Sequence, residues 1–337
     1  MKVDAALLSP DPGAAGPEAH RLEELGYDGA FSFEGPHDPF FPLVVAARET
    51  RRLELATGVA IAFARNPMLL ANLGYDLQLL SQGRFILGLG SQIRPHIEKR
   101  FSMPWSRPAA RMRELVLAIR AIWARWHEGA ALDFRGEFYT HTLMPPFFDP
   151  GPNPYGLPRI FLAGVGPRMT EVAGEVGDGF TTHPFHTKEY LRETTLPALA
   201  RGRARAGKEL AGLEIAYQVM VVTGHSEEEM ARADHAVRAQ IAFYGSTPAY
   251  RGVLDRHGWS ELHLELNRMT KRGRWAELPA LIEDEVLDAI AVRAEPRELA
   301  ARVRERCGDF AARVSLVAPY GRDPADFAEV ARELQAG

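Results

Sequence analysis

A single (β/α)8 TIM barrel, an α/β fold in which one parallel sheet closes on itself, is what this sequence predicts. Three observations carry that prediction. Eight short apolar runs are spread along the 337 residues, and most are followed by a segment with helical periodicity. The run RFILGLG (84–90) is apolar at nearly every position, as a strand buried on both faces must be. Neither a Gly/Ser linker nor an internal repeat interrupts the chain, so residues 1–337 read as one domain.

Taken in order, VDAALL (3–8) is the first strand, closed by Ser9, Pro10, Asp11 and Pro12 and followed by a helix that Gly26 stops. GAFSFE (29–34) is the second, and its end carries Glu34, Gly35, Pro36, His37, Asp38 and Pro39. A helix over 42–50 leads to the third strand, LELATGVAI (53–61). After it come Arg65, Asn66 and Pro67, then a helix with Leu73, Leu77 and Leu80 at helical spacing, and the fourth strand. Residues 91–158 are the longest interruption. They hold one helix over 108–127 with Met112, Leu115, Ile119, Ile122 and Trp126 on one face, and the Pro- and aromatic-rich flanks read as a lid or added subdomain. RIFLAG (159–164), GFTTHP (179–184) and EIAYQVMVVTG (214–224) are strands five to seven. Ser226 opens a helix with glutamates in its first turn, residues 240–293 are helical or irregular, RVSLVAP (313–319) is strand eight, and a helix over 324–335 ends the fold.

Composition excludes several classes. A net charge of -4 argues against general attraction to nucleic acid, and the lone Cys307 excludes an internal disulfide and suits a reducing cytosol. Met1 runs straight into a strand, so no leader is expected, and the apolar runs fall far short of the roughly 20 residues that span a bilayer. The expectation is a soluble cytoplasmic globular protein with neither nucleic-acid nor membrane partner.

Barrel enzymes place their sites at the carboxyl ends of the strands. There, Gly88 and Gly90 read as a place where a ligand lies against backbone. His37 suits proton exchange near neutrality, and Glu34 and Asp38 are candidates to orient it. Ala163, Gly164, Val165, Gly166 and Arg168 form a glycine-bearing strand end at the start of a helix, where free N–H groups and the helix dipole favour an anion. Arg65, Arg94, His96, Lys99 and Arg100 are candidates to line the mouth. Phe40, Phe41, Trp105, Phe147, Phe148 and Tyr155 are candidate walls of an apolar substrate pocket. His183 and His186 lack a third ligand at a convincing spacing, so no metal is expected.

Three stretches together resemble the luciferase-like monooxygenase superfamily, whose TIM barrels bind reduced flavin or the deazaflavin coenzyme F420. They are EELGYDGAFSFEGPHDPF (23–40), LATGVAIAFARNPMLLANLGYDLQLLSQGRFILGLG (55–90) and PRIFLAGVGPRMTEVAGEVGDGF (158–180). HDPF, FARNP, GLGSQ and AFYGSTPAY together are most similar to the branch of F420-dependent oxidoreductases. The resemblance implies hydride transfer between F420 and a small organic substrate, which the candidate aromatic walls suggest is hydrophobic. It puts His37 beside the reactive face of the ring and the cofactor phosphate at 163–168, adds Gly90, Ser91 and Gln92 to the cofactor site, and places a non-proline cis peptide at Gly58–Val59. It also implies a homodimer. Where some relatives carry a glutamate after the fourth strand, this chain has SQIRPH, which makes His96 a second candidate acid and disfavours a sugar-phosphate substrate. The alternatives are an FMN-dependent monooxygenase using O2 and a non-catalytic flavin- or deazaflavin-binding protein.

Overall fold

In the computed structural model, which describes residues 1–337, eight parallel strands close into a barrel. They are β1 (Lys2–Ala6), β2 (Gly29–Ser32), β3 (Glu54–Thr57), β4 (Phe85–Gly90), β5 (Arg159–Ala163), β6 (Gly179–Thr181), β7 (Glu214–Val222) and β8 (Arg313–Val317). Each pairs with its successor, and β8 pairs with β1 to complete the ring. All eight expected strands are present, though most stop short of their apolar run because the ladder ends where neighbouring strands diverge into loops.

The third strand departs from expectation. Its run is not continuous: the ladder breaks after Thr57, the Gly58–Val59 peptide is cis, and Ala60–Ile61 pairs again with Leu89–Gly90. The Thr57 hydroxyl takes over the missing ladder bonds, donating to the Gly88 carbonyl (2.7 Å) and accepting from the Gly88 N–H (2.8 Å).

Main helices pack outside: α1 (Ala15–Leu25), α2 (Phe40–Glu49), α3 (Pro67–Leu80), α4 (Pro108–Glu128), α5 (Pro167–Val176), α6 (Leu196–Arg205), α7 (Glu227–Gly245), α8 (Ser260–Lys271), α9 (Pro296–Cys307) and α10 (Ala328–Ala336). Their ends follow local chemistry. Gly26 stops α1 at φ 92°, the Asn66 side chain caps α3 ahead of Pro67, and Ser226 caps α7 before three glutamates.

Two apolar cores result. The larger lies between the barrel and its helices, while a second gathers Phe185, Met220, Val222, Ile241, Leu254, Leu266 and Leu287 around the segment linking β7 to β8. β7 outlasts its barrel neighbours, and a short strand not foreseen from sequence, Ala291–Arg293, pairs with its free end.

The 91–158 interruption is not a lid along its whole length. Its last part is strapped to the flank of α3: the Tyr75 hydroxyl donates to the Gly151 carbonyl, the Asn153 amide to the Tyr75 carbonyl and the Gln78 amide to the Tyr155 carbonyl. No helix is long and apolar enough to cross a membrane.

Candidate active site

Strand alternation turns every second residue into the barrel. At the amino end these are Asp4, Glu54, Arg159, Glu214 and Arg313, which form a charged floor. Arg313 makes a two-pronged pair with Asp4 (2.7 Å each) and reaches Glu54 and Glu214, while Arg159 pairs with the same two glutamates. Above the floor, Phe31, Ile86 and Phe161 fill the centre, leaving about 40 Å³ of solvent-accessible space. That volume holds a few waters at most, so a multi-ring ligand must lie across the carboxyl ends rather than inside.

The rim is asymmetric. Gly58, Gly88, Gly90 and Ala163 stand on the β3–β5 side, Thr181 and Gln218 on the β6–β7 side. The apolar Leu8 (61% exposed) and Phe33 (46% exposed) follow β1 and β2. The space at Gly88 and Gly90 is taken by β3 and not left for a ligand, correcting the expectation from sequence. A Cβ on Gly88 would meet the Thr57 carbonyl oxygen at 1.8 Å, and one on Gly90 would meet Val59 at 2.6 Å. These glycines exist so that the Thr57–Val59 bulge can press against β4.

The loop after β2 is organised by Arg65. Its guanidinium donates to Glu34 (2.6 Å), to Asp38 (2.6 Å) and to the Ile61 carbonyl (3.2 Å); Glu34, with a side chain 6% exposed, also accepts from the Ile61 N–H. Those partners raise the Arg65 pKa against the opposing effect of burial. Glu34 and Asp38 thus hold Arg65 and do not orient His37, which is exposed and has no hydrogen-bond partner. Asp38 also accepts from the Phe40 N–H, starting α2.

Nor are the other mouth cations all free. Arg94 pairs with Glu98, and Arg100 donates to the Gly35 carbonyl (2.7 Å). That bond ties the π-helical turn His96–Arg100 to the His37 loop, so the two candidate acids lie on loops that touch. Ser91 and Gln92 form the exit from β4: Gln92 sits at φ 57°, and its side chain accepts from the Ile93 N–H.

At the end of β5, where the sequence suggests an anion site, the start of α5 is left uncapped. Gly166 precedes α5, no side chain caps the helix, and Pro167 has no N–H, so the Arg168 and Met169 N–H groups have no intrahelical partner. The Arg168 side chain is exposed and unpaired, and space is open above Gly166. Val165 is anchored by the Tyr190 hydroxyl, which donates to its carbonyl.

Among the proposed aromatic walls, Phe40 lies under Arg65 and Trp105 meets Phe63 edge-on. Phe147, Phe148 and Tyr155 do not wall the mouth. The first two precede the strap, beside the last turn of α4, and Tyr155 packs on Gly83 at the opposite end of the barrel.

His183, with His186, is a metal-ligand candidate by its spacing alone, and no group of three potential ligands forms. Instead its ring Nδ1 accepts from the Phe185 N–H (3.1 Å) and the ring packs against Tyr244 and Tyr250. Gln218 was missed altogether. Its place two residues beyond Ala216, on the inward face of β7, was the signal available.

Comparison with known proteins bears on this geometry. The family model described as luciferase-like monooxygenase matches residues 4–312. An uncharacterized protein of Mycobacterium tuberculosis is 55% identical over 314 residues, 93% of this chain and 92% of that one. An F420-dependent glucose-6-phosphate dehydrogenase of Beutenbergia cavernae is 32% identical over 268 residues, 75% of this chain and 76% of its own. The solved coenzyme F420-dependent tetrahydromethanopterin reductase of Methanopyrus kandleri superposes with a TM-score of 0.81 over 100% of this chain and 99% of its own, at 19% identity.

Proposed function

Since the chain belongs to the luciferase-like monooxygenase family, we propose that it is an F420-dependent oxidoreductase that moves a hydride between the deazaflavin and a small, largely apolar organic molecule. The observation that supports this most is the uncapped start of α5, open above Gly166, in a chain that matches an F420-dependent relative across three quarters of its length. The residues present fit such a cofactor. The barrel interior is too small for a ring system, and the carboxyl-end rim offers a flat approach over Gly58, Val59 and Ala163, with Ser91 and Gln92 at its β4 edge. Gly164, Val165, Gly166 and Arg168 would hold the phosphate through backbone N–H groups, the helix dipole and a guanidinium. When bound, the deazaflavin supplies or takes the hydride.

The chain's own residues supply the rest. His37, exposed and unpartnered, holds or delivers the proton at the substrate oxygen, and His96 on the adjoining turn is the second candidate. Arg65, fixed by Glu34 and Asp38, keeps the His37 loop in place and offers the acidic tail of F420 little free charge. Phe41 on α2 and Leu69, Leu79 and Leu80 on α3 are exposed apolar side chains that support a homodimer.

Arg168→Glu tests this assignment. The exchange is expected to weaken F420 binding tenfold or more (about 1.4 kcal/mol), read by quenching of deazaflavin fluorescence, with the thermal unfolding midpoint unchanged because the side chain is exposed. Unchanged affinity places the phosphate elsewhere.

A further inference from the structure

We propose that His183 binds the substrate's oxygen, its Nε2–H donating a hydrogen bond to an uncharged, carbonyl-type acceptor lying over the barrel mouth. This rests on the hydride-transfer reading above. The position follows from register. Thr181 and Ala216 are paired across β6 and β7 and both line the interior; the Thr182 N–H continues the ladder to the Ala216 carbonyl, Gln218 stands one layer higher on the inward face, and His183 follows directly where the β6 ladder ends at the mouth.

The tautomer is set by the backbone. Because Nδ1 accepts the Phe185 N–H, it carries no proton, and in the neutral ring the proton sits on Nε2. Nε2 has no partner in the protein. Tyr244 (4.5 Å, 78°) and Tyr250 (4.4 Å, 35°) pack on adjoining sides of the ring, and with the Phe185 bond they restrict how it can turn. Burial, with His186 nearby, holds the imidazole pKa down at about 3, and the two tyrosines against it are pushed up, so every group packed on the ring is neutral at ordinary pH.

A neutral, preoriented N–H favours one class of ligand. Arg159 and Arg313 on the floor and Arg65 at the mouth are bonded to carboxylates, so none is free to neutralise an anion beside His183. A phosphate or carboxylate there would be desolvated without compensation, whereas a ketone or aldehyde oxygen needs one donor. In the reduction direction the carbonyl carbon accepts the hydride that reduced F420 supplies, the C=O π pair moves to oxygen, and that oxygen takes a proton from His37 or water. His183 stabilises the developing negative charge without giving up its proton, since loss of the Nε2 proton would leave an imidazolate.

Long-range ¹H–¹⁵N spectra of protein labelled with ¹⁵N-histidine test this, with His183 assigned by the signal lost in His183→Phe or, if that variant does not fold, in His183→Gln. The expected result is an Nε2–H tautomer that does not titrate through the ordinary histidine range near 6.5. In the presence of F420, acetone should shift its Nε2 signal and glucose 6-phosphate should not. An Nδ1–H tautomer, a normal titration, a signal unmoved by acetone, or one moved by the sugar phosphate alone overturns the proposal. Deazaflavin fluorescence in the same samples reports cofactor binding separately, so a failure of the F420 reading is distinguishable from a failure at His183.

Discussion

Arg313→Met is expected to destabilise the barrel by about 3–5 kcal/mol, because it leaves buried carboxylates without their cation. The Arg313 side chain is 3% exposed and its guanidinium binds Asp4, Glu54 and Glu214 at once. Methionine keeps most of the length and removes the charge. The effect should depend on pH in a defined direction. Burial opposes ionisation of Glu54, yet Arg313, Lys2 and Arg159 outweigh it and lower its pKa from 4.5 to about 2. A carboxyl with a depressed folded-state pKa contributes stability that is complete above its unfolded value and is lost as pH falls through the folded one. The gap between wild type and variant should therefore be widest near neutrality and narrow as pH falls from 4.5 towards 2, where protonation relieves the uncompensated charge. Urea unfolding at several pH values reads this directly; a gap that widened in acid would contradict it.

Gly88→Ala is expected to cost about 3 kcal/mol, near the upper end of what overpacking imposes. The added methyl would sit 1.8 Å from a backbone oxygen, that of Thr57, which cannot swing aside as a side-chain tip can. Relief requires β3 and β4 to part at the Thr57–Gly88 hydrogen bonds, which also shifts Gly58 and Val59 on the rim. Loss of stability should thus come with weaker F420 binding. Gly166→Ala is the control: nothing lies within 4 Å of the added carbon, and its φ of -78° suits any residue, so stability should stay within about 0.5 kcal/mol. Equal destabilisation by both would mean that crowding against Thr57 is not the cause.

The fold was legible because parallel barrel strands are buried on both faces and announce themselves as apolar runs, β4 most plainly. What escaped was interaction between distant segments. From sequence, Gly88 and Gly90 look like room for a ligand; only the pairing of β3 with β4 reveals that Thr57 and Val59 fill that room. Glu34 and Asp38 flank His37 in the chain, which suggests that they serve it, yet Arg65, 31 residues beyond Glu34, binds both. Thr182 and Gln218 become neighbours through the register of β6 and β7, which no local pattern encodes. The uncapped start of α5 after Gly166 was readable because a glycine-bearing turn into a helix leaves its donors free locally.

A deazaflavin resting across the carboxyl ends of the strands, with its phosphate at the start of α5, is the central proposal. Parallel equilibrium titrations of the purified protein with F420 and with FMN test it most directly. The account predicts saturable binding of F420 that Arg168→Glu weakens, with FMN binding far more weakly. Saturation by FMN with none by F420 would contradict it.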